Sequence, residues 1–194
     1  MKAAVINTHP NPDSFTYEVR EAVIEVLQEQ GHDVQLRDLY TLQFNPVLMQ
    51  EEFVATKEGN VPEDVRVEQE YIRWADCLIL IYPLWWGSLP ALLKGYIDRV
   101  FSYGFAYTMD GGTIQGGLTG KKAILFTTMG NSEEHYREVQ MFEAMKKTVD
   151  EGIFAFAGIE VLEHLYFASV TSVGDEERQQ MLELAKQTVS KLSM

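Results

Sequence analysis

Residues Asp76 to Tyr107 read DCLILIYPLWWGSLPALLKGYIDRVFSYGFAY, and their order decides the fold. An unbroken apolar run, Leu78 to Tyr82, stops at Pro83. A short run of that kind, ended by proline, reads as a strand buried on both faces, as in a parallel sheet. The loop Leu84, Trp85, Trp86, Gly87, Ser88 follows. Pro90 then opens an amphipathic helix reaching about Tyr103, with Leu92, Leu93, Tyr96, Ile97, Val100 and Phe101 on one face. Strand, aromatic loop and helix N-terminus in that order can hold a flat aromatic ligand by its edge. Two adjacent tryptophans equally fit a core or an oligomer interface, and both readings stand at this point.

The same alternation continues on either side. Ala3 to Thr8 is an apolar strand ending at His9-Pro10, and the prolines of HPNPDSFT exclude regular structure across that loop. A helix starts near Phe15, with Ser14 or Asp13 as N-cap. Val19, Ala22, Val23, Val26 and Leu27 recur at helical spacing, and Gly31 ends the helix. DVQLRDL alternates as a second strand. From Tyr40 to Val61 the pattern is irregular, which inside a compact domain marks a functional segment or an interface. A helix resumes from Pro62 to Trp74. The glycine-rich stretch from Gly104 to Gly120 reads as a long loop. Lys122 to Thr127 is strand four, followed by a polar loop to Ser132. Further on come a helix from about Glu138 to Glu151, strand five from Ile159 to Ala168, and a closing helix from Gly174 to Leu192.

Strands and helices alternating in this way predict an α/β fold with a five-stranded parallel sheet and helices on both faces. The loops after strands one, three and four carry the ligand-type residues. Strand order 2-1-3-4-5 brings them together at the carboxyl edge, beside the switch point. No repeat, linker or low-complexity tract divides residues 1–194, so one domain is expected.

Composition narrows the function. A net charge of −13 argues against a sequence-independent nucleic-acid binder, which needs clustered Lys and Arg. No apolar run approaches a membrane span, and the N-terminus turns polar too early for a signal peptide. The single cysteine, Cys77, fits a core position and a reducing, cytoplasmic setting. There is no Gly-x-Ser-x-Gly elbow, no P-loop, no Gly-x-Gly-x-x-Gly fingerprint and no metal spacing among His9, His32, His135 and His164.

Three loops remain. His9, Ser14, Phe15 and Thr16 stand where a helix N-terminus attracts phosphate, although Ser14 also reads as a plain cap. Pro83, Leu84, Trp85, Trp86 and Gly87 offer flat faces and backbone amides. Trp86 adjoins Gly87 and the helix start, so it is expected to hold a ligand more firmly than Trp85. Thr127, Thr128, Gly130 and Asn131, with His135 and Tyr136 a little later, offer donors to a polar ring edge, or form a simple turn with His135 as a surface residue.

At these loops the sequence resembles the flavodoxin-like NAD(P)H:quinone oxidoreductases, a group that includes the DT-diaphorase, modulator-of-drug-activity, general-stress and potassium-efflux ancillary reductases. The likeness runs along nearly the whole chain and is most specific in YPLWWGSLPALLKGYIDRVFSYGFAY, DLYTLQFNPVL, KEGNVPEDVRVEQ and GIFAFAGIEVL. It implies ping-pong, two-electron hydride transfer from NAD(P)H through a bound flavin to quinones or similar flat acceptors. The flavin contacts it implies are His9, Ser14, Phe15 and Thr16 at phosphate and ribityl. Pro83, Leu84, Trp85, Trp86 and Gly87 would lie along the ring, with Thr127, Thr128 and Gly130 at its pyrimidine edge. Tyr136, offset by one residue, resembles the family's catalytic tyrosine. The DT-diaphorase type follows that tyrosine with a histidine, and Arg137 to Lys147 contains none. Shortening between Phe53 and Lys57 and the missing C-terminal extension tilt the cofactor toward FMN, while FNPVL and KEGN pull toward FAD. The family is usually a homodimer with the active site at the interface. A competing reading is a flavodoxin-like electron carrier, or a regulatory ancillary subunit of a membrane transporter.

Overall fold

The buried run at the centre of the sequence forms β3 (Cys77–Pro83), and every residue of it is buried. The computed structural model describes residues 1–192. β3 lies between β1 (Lys2–Asn7) and β6 (Lys122–Thr128), with β2 (Asp33–Asp38) outside β1 and β7 (Glu160–Phe167) outside β6. All four pairings are parallel, in the order β2-β1-β3-β6-β7. This is the expected 2-1-3-4-5 order, renumbered because a separate hairpin intervenes.

Side chains alternate across this sheet with a period of two, so each central strand feeds two cores. Val5, Ile79, Ile81, Ile124 and Phe126 face α1 (Phe15–Glu29) and α7 (Asp175–Ser190), where Val19, Val23, Leu27, Ala185 and Val189 meet them. Ile6, Leu80, Tyr82 and Leu125 face the other side. There they meet Val65 and Ile72 of α3 (Glu63–Trp74) and Leu93 and Tyr96 of α4 (Ala91–Val100). Parity also sends the neighbours Thr127 and Thr128 to opposite faces, which matters below.

Burial pushes the Cys77 thiol up to about 12. A raised value keeps the thiol protonated, and the thiolate is the reactive form. Alkylation at pH 8 should therefore leave Cys77 unmodified in the native protein and modify it fully in denaturant, read by intact mass. Rapid native labelling would show that β3 opens.

Three segments differ from the sequence reading. The expected long loop from Gly104 to Gly120 contains an antiparallel hairpin, β4 (Tyr107–Asp110) and β5 (Thr113–Gly116). Gly111 and Gly112 both have positive φ, 54° and 83°, as the tightest hairpin turn requires. The irregular 40–61 segment contains α2 (Gln50–Lys57), which buries none of its residues and exposes Phe53 and Val54. The expected helix from Glu138 to Glu151 is instead α5 (Glu133–Glu138), α6 (Met141–Met145) and a π-helix, Lys146–Ala155, with Gln140 left-handed at φ 56° between the first two. Val149 and Phe154, a step of five apart, are both buried. An i→i+5 helix brings that step to one face and a 3.6-residue helix does not.

Candidate active site

At the carboxyl edge of the sheet a cavity of about 600 Å³ collects the three loops. Its wall includes His9, Ser14, Phe15, Thr16, Pro83, Leu84, Trp85, Thr128, Gly130 and Tyr136, all singled out from the sequence. Trp86, Gly87 and Thr127 do not line it. Asn131 of the third loop stands in the wall as well, and the sequence reading missed Arg178, at the start of α7, and Val170 and Thr171. A larger cleft of about 760 Å³ runs along β7 and the π-helix, but it gathers strand and helix residues, with Glu143, Glu151, Glu160 and Glu163 among them. Five carboxylates, Asp150 included, around a single lysine, Lys146, suit an anionic cofactor poorly.

Thr128 locks the loops together. Its Oγ1 lies 2.8 Å from Thr16 Oγ1, and its carbonyl accepts the Leu84 N–H at 2.8 Å. Loop one is thus tied to loop three by side chains, and loop two to loop three by backbone. The hydroxyls of Thr16 and Thr128 are largely spent on each other.

Ser14 behaves differently. It occupies the N-cap of α1, yet its side chain makes no capping hydrogen bond. Its Oγ is buried and has no partner among the described residues. A buried hydroxyl without a partner costs roughly 1–3 kcal/mol, so an acceptor in the cavity would relieve it. Helix geometry also leaves the Phe15 and Thr16 N–H groups without intrahelical acceptors. Arg178 completes this corner: it donates to the Val170 carbonyl at 2.9 Å, pairs with Glu18 at 3.3 Å and stands 5.3 Å over the Phe15 ring. An unspent hydroxyl, a helix N-terminus and a guanidinium converge on one place, and that set fits a phosphate.

The opposite end is aromatic. Trp85 stands 5.7 Å from His9, ring to ring. Asn11 anchors His9 Nδ1 at 3.1 Å, and desolvation lowers the affinity of this histidine for a proton, so a neutral ring is favoured beside the cavity. Tyr136 accepts the Asn131 N–H at 3.2 Å, which leaves its own O–H free to donate. Trp86 is fully exposed and left-handed at φ 52°. The earlier ranking of the two indoles therefore reverses as far as the cavity wall is concerned: the left-handed backbone at Trp86 turns its ring into solvent while Trp85 stays on the wall.

The chain matches, over residues 1–192, the protein family described as having a flavodoxin-like fold. It is 38% identical to a Haemophilus influenzae protein named as an uncharacterized NAD(P)H oxidoreductase, over 100% of this chain and 96% of that one. It is 32% identical to rat NAD(P)H dehydrogenase (quinone) 1, over 94% of this chain and 74% of the relative. Among solved structures, the NAD(P)H:quinone oxidoreductase from Methanothermobacter marburgensis superimposes with a TM-score of 0.88 at 33% identity, over 100% of this chain and 99% of that one.

Proposed function

The chain belongs to the flavodoxin-like family, and from that premise we propose that it is a flavin-dependent NAD(P)H:quinone oxidoreductase. That it is an oxidoreductase rests on its named relatives. The single observation that carries the flavin reading is the unpartnered Ser14 hydroxyl beside Arg178 at the start of α1. A single helix N-terminus and a single guanidinium at this corner favour FMN over FAD.

Bound flavin would supply the hydride chemistry, accepting from NAD(P)H and giving to a quinone or similar flat acceptor in a ping-pong cycle. The protein's own contribution is positional and electrostatic. Ser14, the Phe15 and Thr16 amides and Arg178 would hold the phosphate. Leu84 and Trp85 would line the ring. Gly130 and the free O–H of Tyr136 would serve its polar edge, where a donor aimed at developing negative charge has most effect. Neutral His9 adds a polar group to this wall without adding charge.

The open face of the cavity and the exposed apolar groups Leu48, Met49, Phe53, Val54, Tyr103 and Met109 support a homodimer, since exposed apolar patches mark interaction sites. Trp86 would then be covered by the second copy or by the acceptor.

The test is direct. Flavin released by denaturation is identified by mass spectrometry, and the holoprotein is mixed anaerobically with NADH or NADPH. Bleaching, followed by reoxidation with a quinone, is expected; a protein that carries no flavin, or is bleached by neither nicotinamide, would refute the proposal. Replacing Trp85 with Ala should weaken flavin retention several-fold, about 1 kcal/mol for one stacking contact. Trp86→Ala should leave retention intact and instead raise the KM for the acceptor or weaken self-association. The opposite order, read by flavin fluorescence titration and sedimentation, would restore the ranking drawn from sequence.

A further inference from the structure

We propose, resting on the flavin reading above, that His164 is a positioning residue that fixes the ends of three strands behind the cavity and so sets flavin affinity. The His164 side chain is only 4% exposed and lies on β7, outside the cavity wall. Its ring is bonded on both sides. Nδ1 stands 2.7 Å from Asp150 Oδ1 of the π-helix and 3.0 Å from the Tyr166 hydroxyl. Nε2 stands 2.9 Å from Thr127 Oγ1 and 3.4 Å from the Tyr82 hydroxyl.

The places of these partners matter more than their number. Tyr82 is the penultimate residue of β3, and Pro83, Leu84 and Trp85 of the wall follow it. Thr127 is the penultimate residue of β6, directly before Thr128 and Gly130. Tyr166 is the penultimate residue of β7, a few residues before Val170 and Thr171. Tyr82 pairs with Thr127, and Thr127 with Tyr166, so one level of the sheet is stapled by a single imidazole from the next level down.

Alternation explains why the staple sits behind the site. Thr128 points toward α1 and closes the wall through Thr16, whereas Thr127 points toward the π-helix and His164. The two adjacent threonines clamp the same turn from opposite faces. Asp150 determines how the clamp works. With Nδ1 donating to its carboxylate, Nε2 is left to accept from Thr127 or Tyr82, which fixes the ring in one orientation. Tyr166 also stacks on His164, with centroids 4.2 Å apart, and packs against Phe142 at 4.8 Å. Phe142 in turn meets Tyr136 of the wall at 6.3 Å. The imidazole thus supports the wall both through Thr127 and through this aromatic row. No other histidine of the chain takes this place: His9 lies in the wall itself, and His32 and His135 lie elsewhere.

The experiment compares His164→Gln with His164→Asn in the full-length protein, reading flavin Kd by fluorescence quenching and the flavin midpoint potential. The glutamine amide reaches the place of Nε2 and keeps the Thr127 bond. The asparagine amide reaches the place of Nδ1 and keeps only the Asp150 side. His164→Asn is expected to weaken flavin binding about 10-fold, the scale of one buried hydrogen bond, and to shift the potential. His164→Gln should stay within about 2-fold of wild type on the same scale. Thr127→Val should match the asparagine variant, and the His164→Asn/Thr127→Val double variant should cost no more than either alone, because both remove one interaction. Equal flavin affinity in wild type and both His164 variants would overturn the positioning role while leaving the proposed function in place. Additive losses in the double variant would likewise overturn it. A wild-type protein that binds no flavin would overturn the proposed function and this role together.

Discussion

Arg178→Ala should weaken flavin binding by roughly 10- to 100-fold, the range of one charge-assisted hydrogen bond of about 1.5–3 kcal/mol. Among the described residues Arg178 is the one cationic side chain in the cavity wall, and it lines the same cavity as the unspent Ser14 hydroxyl. The variant loses that charge and also releases the Val170 carbonyl and Glu18. Arg178→Lys keeps the charge but loses the planar fork, so an intermediate loss is expected. Free riboflavin, which lacks the phosphate, separates the two effects. Its affinity should be nearly the same for wild type and Arg178→Ala if Arg178 acts on phosphate, and should fall in parallel with FMN if the residue only holds the loop. An FMN affinity unchanged by Arg178→Ala would remove this residue from the site.

Gly95→Ala should destabilise the protein by about 2 kcal/mol or more, despite alanine's preference for helices. Gly95 lies within α4, where alanine would be favoured over glycine by about 1 kcal/mol. A Cβ at this position, however, would stand 2.2 Å from the Pro46 carbonyl oxygen and 2.4 Å from Pro46 Cβ. These atoms belong to backbone and a fixed ring, so no rotamer change relieves the collision, and overpacking of this sort costs roughly 1–3 kcal/mol and sometimes more. The segment around Pro46 has little room to yield. Arg99, 4% exposed, holds it by donating to the Asn45 carbonyl at 2.7 Å, to Glu52 at 2.8 Å and to Asp64 at 2.6 Å. Urea denaturation measures the difference. A variant as stable as wild type would mean that the 45–52 segment moves freely over α4, and it would weaken the case for a fixed interface there.

Several features were legible from residue patterns. The apolar run Leu78 to Tyr82, short and ended by proline, identified the central strand, because a strand buried on both faces is apolar at every position and a helix would run longer. Alternation of strand and helix gave the parallel sheet, and its order followed from where ligand-type residues cluster. The Asp110-Gly111-Gly112 hairpin signal was also present, but the glycine density around it obscured the short alternation of β4 and β5. The π-helix was hidden because one extra residue per turn looks locally like an ordinary amphipathic pattern.

The sequence by itself determined the order of the strands and the loops that meet at the carboxyl edge, because period and punctuation are local properties of the chain. Tertiary structure alone decided which residues of those loops face the cavity. Trp85 and Trp86 are chemically alike and adjacent, and the positive φ at Trp86 separates them. Thr127 and Thr128 are equally alike, and the pleat of β6 sends one to Thr16 and the other to His164. Arg178 lies far along the chain from the Phe15 and Glu18 side chains it meets, and His164 from Tyr82 and Thr127. Their roles arise only when packing brings distant segments together, since hydrogen bonds depend on distance in space and not on separation in sequence.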